Sequence, residues 1–199
     1  MYLLNKISKK IIDWMKNYID HPSEEEIEIA EYGITSFLIN IYKIPIFFLI
    51  AYLLGILKYY MLTTFLFSII KMHSWGIHMR SGFTCILATL VSFVLIIYIS
   101  IFFNICIFIK LLLSTISLYF LYKYAPADTE ERPCLNENIR KKFKKRSIII
   151  GMIYVICSFA YPSQIVSNIF ILILFLQTIC ILPFTYNVFH RRYNNYEYY

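Results

Sequence analysis

Long apolar runs recur along the whole chain, and they constrain its fold more than any other feature. Of 199 residues, 59% are hydrophobic and 19% aromatic, more apolar material than a soluble domain of this size can hide. In lipid every backbone N–H and C=O must be satisfied internally, so only helices and closed barrels can span. With 5 Gly and 6 Pro the chain is poor in turn residues, and no segment alternates apolar and polar residues for long. The expectation is an all-α, polytopic membrane helical bundle, a single integral membrane domain over residues 1–199.

The runs give about six membrane segments: 34–57, 59–70, 83–103, 107–121, 147–161 and 165–188. The second is short; about 12 residues rise roughly 18 Å against a hydrocarbon core of about 30 Å. It therefore either extends through Met72–Ile77 or enters the bilayer only in part. Ahead of these runs, residues 1–22 read as an amphipathic interfacial helix, with Leu3, Leu4, Ile7, Ile11 and Trp14 at helical spacing among lysines. This stretch is too charged for the core of a signal peptide. Ser23-Glu-Glu-Glu26 has the form of a capping box opening the next helix. Residues 122–146 read as a polar, basic loop.

The net charge of +7 has a membrane explanation that needs no nucleic acid. With the N-terminus inside, the lysines of residues 6–16, Lys71, Arg80, Lys123, Arg132, the 140–146 cluster, Arg191 and Arg192 all fall on the cytoplasmic side. Only Lys58 and Lys110 fall outside, and Lys43 lies within a segment. This asymmetry puts both termini in the cytoplasm of a multi-pass plasma-membrane protein.

Between the second and third runs lies a short polar break, Lys71-Met-His-Ser-Trp-Gly-Ile-His-Met-Arg-Ser-Gly-Phe-Thr-Cys85. Its imidazole at His78 and thiol at Cys85 are the two groups a cysteine peptidase requires. Ser81 can cap the third segment, with Gly82 at its start and Cys85 near the end of its first turn. A thiol there meets the positive end of the helix dipole, which favours thiolate, and unpaired N–H groups that can bind an oxyanion. In one unbroken helix the two side chains would share a face but stand roughly 10.5 Å apart along the axis, too far for proton transfer. The chain must therefore fold back between His78 and Ser81, and Gly76 and Gly82 permit it. His73 is an alternative base or an interface residue. Zinc is a weaker reading, because His73, His78 and Cys85 lack a nearby carboxylate and no H-E-x-x-H occurs; no metal and no cofactor are expected. Cys106, Cys157 and Cys180 read as small apolar fillers, and the spacing of the five cysteines forms no C-x-x-C pair.

Gly76, His78 and Cys85 at this spacing, together with Tyr124-Ala-Pro-Ala-Asp-Thr129, Pro133 and the following basic cluster, resemble the accessory gene regulator B (AgrB) family of quorum-sensing membrane endopeptidases. The resemblance covers nearly the full length. Paired glycines often precede the family's histidine, and here the second position is Ile77. The resemblance implies that Cys85 is the nucleophile and His78 its base. It further implies that the substrate is a small AgrD-type propeptide, whose own thiol captures the thioester to give a cyclic thiolactone. It also implies a homodimer, and a docking role for Arg140, Lys141, Lys142, Lys144, Lys145 and Arg146 toward the acidic tail of the propeptide. The same cluster read without the family is a topology anchor that also binds anionic membrane lipids. Two other classes remain: a non-enzymatic exporter or sensor component, in which Cys85 is dispensable, and a cysteine-dependent membrane acyltransferase, which shares the thioester but not the product.

Overall fold

The computed structural model describes residues 45–77, 82–130 and 136–198, with isolated helical residues at 11, 12, 14 and 34; at 82, 83, 85, 86, 197 and 198 it describes the backbone alone. Most of the expected 1–22 helix, the Ser23–Glu26 cap, much of the first segment, and His78, Ser81, Arg132, Pro133 and Cys134 lie outside the described residues. The chain divides into two compact units, Met1–Leu54 and Gly55–Tyr199. In the first, residues 45–53 form helix α1, which ends in a turn at Leu54.

The regular elements among the described residues of the second unit are helices: α2 (Leu57–Ser74), α3 (Gly82–Phe102), α4 (Ile107–Tyr124), α5 (Glu137–Ala160), α6 (Gln164–Ile181) and the short α7 (Pro183–Val188). A 3₁₀ turn, Asn195–Tyr198, closes it. Proline sets two of these limits. The residue before a proline is driven out of the helical region, which ends α4 ahead of Pro126 and α6 ahead of Pro183. Pro183 then opens α7, where its missing N–H is no loss. The expected 165–188 run is thus two helices.

One open alternative is decided and one expectation changes. The second segment is 18 residues long, about 27 Å, and reaches Ser74. Its polar end stays helical because the side chains bond back along it: His73 Nδ1–H donates to the Ile69 carbonyl at 2.9 Å and Ser74 Oγ to that of Ile70 at 2.8 Å. The basic cluster is helix, not loop. Asn136 caps α5, its Oδ1 accepting from the N–H groups of Asn138 and Ile139 at 3.0 and 3.2 Å. Nothing between there and Ser147 breaks a helix, so residues 140–146 form its opening turns.

Helix α6 is central, packing against α2, α3, α4 and α5. It buries Ile169, Ile171, Ile173, Leu174 and Ile181 completely, along with Asn168 and Gln177. At Gly151 of α5 an added Cβ would stand 2.9 Å from Leu121 Cδ1, so the absent side chain is what lets α4 and α5 approach. Tyr154 OH donates to the Leu66 carbonyl at 2.7 Å, tying α5 to α2. Of the helices, α4 and α6 are long and apolar enough to cross a membrane by length and composition, and Leu87–Phe102 of α3 is a shorter apolar stretch.

Candidate functional site

The short connection between α2 and α3 puts the C-terminus of one and the N-terminus of the other at the same end of the bundle. Helix α2 stops at Ser74, Trp75 takes φ 57 and Gly76 φ 112, and α3 opens at Gly82 with Cys85 as its fourth residue. His78 and Ser81 lie outside the described residues, as does the side chain of Cys85. What the structure does describe is how the chain is held immediately before His78.

Four consecutive residues, Ser74 to Ile77, are gripped. Gly76 N–H donates to the Ala127 carbonyl at 2.9 Å, and Ala127 N–H donates to the Ser74 carbonyl at 3.0 Å, a parallel bridge between two loops. Ile77 N–H donates to the Cys180 carbonyl at 2.9 Å, at the C-terminal turn of α6. From the same helix Gln177 Nε2 donates to Ser74 Oγ and to the Trp75 carbonyl, each at 2.7 Å. Gly76 has no room for a side chain: a Cβ would meet the Cys180 carbonyl oxygen at 3.0 Å. Positive φ and close backbone approach both demand glycine there.

The segment that pairs with this loop is Tyr124-Ala-Pro-Ala-Asp-Thr129, with a cis Ala125–Pro126 bond. It is buried by the C-terminal tail. Tyr186 OH, fully buried, meets the carbonyls of Ala127 and Asp128 at 3.2 and 3.0 Å. The buried Asp128 carboxylate accepts the N–H groups of Asn195 and Tyr196 at 3.0 and 2.9 Å, capping the 3₁₀ turn. Glu130 holds Arg191 at 3.2 Å. Tyr193 packs edge-on against both Tyr124 and Tyr186, and burial pushes its phenol upward so that it stays neutral.

The basic cluster borders this assembly, and its members are not equivalent. Arg140 lies 3.4 Å over the Tyr196 ring, Lys141 pairs with Glu137 at 2.7 Å, and Lys144 sits 4.7 Å over Tyr122. Lys142, Lys145 and Arg146 are exposed, with no ion pair or ring partner among the described residues. Their i, i+3, i+4 spacing gives them one helix face. Phe143, between them in sequence, turns inward against Trp75 and His73, with ring centroids 5.3 and 6.0 Å away. No group of three metal-ligating side chains occurs among the described residues.

Sequence reasoning singled out Gly76 and the basic cluster but passed over Gln177, Asp128 and Tyr186. Gln177 carried a signal: a large amide inside an otherwise apolar run needs a buried partner. Asp128 was visible only as part of a motif, because its partners lie more than sixty residues away in the tail.

Among the described residues the chain is a helical bundle with a gripped, non-helical break that leads in sequence into the His-to-Cys stretch, and these features define its class as a helical-bundle protein. A sequence model described as Accessory gene regulator B matches residues 5–181. An AgrB-like protein of Clostridium acetobutylicum is 31% identical over 178 residues, covering 88% of this chain and 85% of that protein. An AgrB-like protein of Listeria innocua is 32% identical over 178 residues, with 88% and 86% covered. Accessory gene regulator protein B of Staphylococcus aureus strain Newman is 30% identical over 152 residues, with 76% and 78% covered. The chain belongs to the Accessory gene regulator B (AgrB) family. No solved structure matches it.

Proposed function

We propose that this chain is a multi-pass membrane cysteine endopeptidase of an accessory gene regulator quorum-sensing system, acting on an AgrD-type propeptide. Cys85 is the nucleophile and His78 its base. The thiolate adds to the carbonyl of the scissile peptide bond, the C–N bond breaks, and His78 delivers the proton to the departing amine of the C-terminal segment. The N-terminal part remains on Cys85 as a thioester. A thiol of the same peptide then gives its proton to His78, attacks that thioester, closes a thiolactone and releases the Cys85 thiolate. Exchange of thioester for thioester is close to neutral in energy, so a dry pocket lets the internal thiol compete with water.

The observation that carries this reading is the break itself. Within an AgrB-family chain, the backbone just ahead of His78 is fixed at four successive residues, and α3 begins so that Cys85 falls in its first turn. The geometry supports a base presented to a helix N-terminus, where thiolate is favoured.

Charge distribution supports a cytoplasmic site. Lys71, Lys123, the 140–146 cluster, Arg191 and Arg192 lie at the end of the bundle that carries the break, whereas Lys58 and Lys110 lie at the other. In a six-segment arrangement this is the positive-inside pattern, with both termini in the cytoplasm. The exposed face of Lys142, Lys145 and Arg146 docks the acidic tail of the propeptide, and the same charges rest against anionic lipid. The family resemblance adds a homodimer.

The test is propeptide cleavage by membranes carrying Cys85→Ala or His78→Ala. Each variant inserts normally and loses cleavage, and the double variant is no worse than either single one because both residues serve one step. Cleavage retained by Cys85→Ala overturns the mechanism and favours the non-enzymatic class.

A further inference from the structure

We propose that Gln177 is a positioning residue for the His78 base. This rests on the peptidase reading above and extends it to a residue of α6, distant in sequence from His78.

Gln177 is fully buried in the last turns of α6. Its Nε2 stands 2.7 Å from both Ser74 Oγ and the Trp75 carbonyl oxygen. A carbonyl can only accept, so the atom facing it must be the amide nitrogen, and the orientation of the side chain is fixed. Ser74 agrees, since its own hydrogen goes to the Ile70 carbonyl and leaves the oxygen to accept from Gln177. One further turn along α6, the Cys180 carbonyl takes Ile77 N–H. A single helix end therefore reads the residues on both sides of Gly76. His78 follows directly, with no unfixed residue between it and Ile77.

The α2 helix ends here with a residue at φ 57 and a glycine at φ 112, a course the chain does not take unaided. Gln177 supplies a donor to the Trp75 carbonyl, at the C-cap of α2. The position demands glutamine chemistry. A leucine of similar size removes both donors. A glutamate keeps the shape but turns an acceptor toward a carbonyl and toward a hydroxyl whose hydrogen is already committed.

The experiment reads Cys85 in the full-length chain in detergent, without substrate. The rate of iodoacetamide alkylation at Cys85 is followed by mass spectrometry of the digested protein from about pH 5 to 9, where thiolate forms. Wild type, His78→Ala, Gln177→Leu, Gln177→Glu and Ser74→Ala are compared at equal yields of folded protein. The wild-type profile rises below the usual thiol value of about 8.5 because His78 pairs with the thiolate. Gln177→Leu and Gln177→Glu shift it toward that of His78→Ala, with alkylation near pH 6.5 falling about tenfold for each unit of upward shift. Ser74→Ala shifts it the same way by less. A role confined to stability leaves the profile of the folded fraction unchanged. If His78→Ala shifts the profile and neither Gln177 variant does, the positioning role is wrong and the peptidase reading stands. If His78→Ala itself leaves the profile unchanged, the Cys85–His78 pair fails and this inference falls with it. Should the Gln177 variants not be recovered folded, Ser74→Ala decides by the same two outcomes.

Discussion

The two ends of the Gly55–Tyr199 bundle are both polar, yet they are built in opposite ways. At the end without the break, single side chains close the gaps between helices. Lys110 Nζ donates to Ser167 Oγ at 2.6 Å, Ser167 passes its hydrogen to the Ser158 carbonyl, and Asn168 Nδ2 reaches the Phe103 carbonyl at 3.0 Å. At the end that leads to His78, residues 74–77 bond backbone to backbone with Ala127 and Cys180, Gln177 adds a cross-tie, and the side chains of Tyr186 and Asp128 join the 124–130 segment to the tail. The first arrangement satisfies helix ends. The second fixes the course of a non-helical strand, which helix packing alone does not require. An end that only holds helices together tolerates change; on the reading proposed above, the end that leads to His78 does not.

Two glycines at positive φ give the sharpest form of this contrast and the largest expected effect. Gly76 has φ 112 and a backbone oxygen 3.0 Å from where a Cβ would stand, whereas Gly55 has φ 69 and nothing within 4 Å. Gly55→Ala should cost about 1–2 kcal/mol, the ordinary left-handed penalty, and leave cleavage near wild type. Gly76→Ala adds a collision with the carbonyl that accepts Ile77 N–H, so a strain of about 1–3 kcal/mol is relieved only by moving the residues beside His78. Cleavage should fall by at least tenfold, more steeply than thermal stability in detergent. Equal losses of activity for the two variants would mean that the break is no more demanding than an ordinary turn.

Much of this was legible in the sequence. Segments 83–103 and 107–121 match α3 and α4 to within a few residues, because long apolar runs bounded by breakers leave little choice. Gly76 was marked as a shaping residue because an unbroken helix separates His78 from Cys85. The sequence left the extension of the second segment open because hydropathy counts Lys71, His73 and Ser74 as polar; their side chains are accommodated by local bonds and by Phe67, over whose ring Lys71 lies at 5.2 Å, and the helix runs on to Ser74. The basic cluster read as loop for the same reason, charge being taken for the absence of helix. The pairing of the tail with Asp128 was not legible: Asp128 stood out only as part of a motif, such pairings depend on which ends of which helices meet, and no local pattern encodes that.

The next contrast concerns charge and is of intermediate size. Replacing Lys142, Lys145 and Arg146 together with Gln removes the exposed face, while Lys110→Met removes the buried cation at the opposite end. The triple variant should insert normally but raise KM for propeptide several-fold, and salt at about 0.5 M should reproduce much of that effect in wild type by screening. Lys110→Met should leave KM and kcat unchanged. Ser167 keeps its bond to the Ser158 carbonyl, no donor is orphaned, and stability should move by less than about 1 kcal/mol. A KM unchanged in the triple variant would reduce the cluster to an anchor for topology and lipid.

The smallest effect belongs to the one ion pair within the cluster. Lys141, by hydrogen bond and by charge, holds the Glu137 carboxyl below the usual carboxylate range, with Arg140 adding to the attraction. A carboxylate whose folded value is depressed contributes stability above its unfolded value, about 4.3, and loses it as pH falls through the folded value. Both partners are mostly exposed, at 71% and 76%, so solvent and salt screen the pair and leave little of it in the global stability. The contribution is local, since Glu137 also sits in the first turn of α5, where negative charge meets the helix dipole. Glu137→Gln should therefore speed hydrogen exchange at the opening turn of α5 at neutral pH, leave exchange at Gly76 and Ile77 unchanged, and make no difference once the pH is low enough to protonate the wild-type carboxyl. Faster exchange at Ile77 in this variant would show that the surface of α5 and the grip on the break are coupled, and that the end leading to His78 is less insulated from its basic border than the backbone bonds imply.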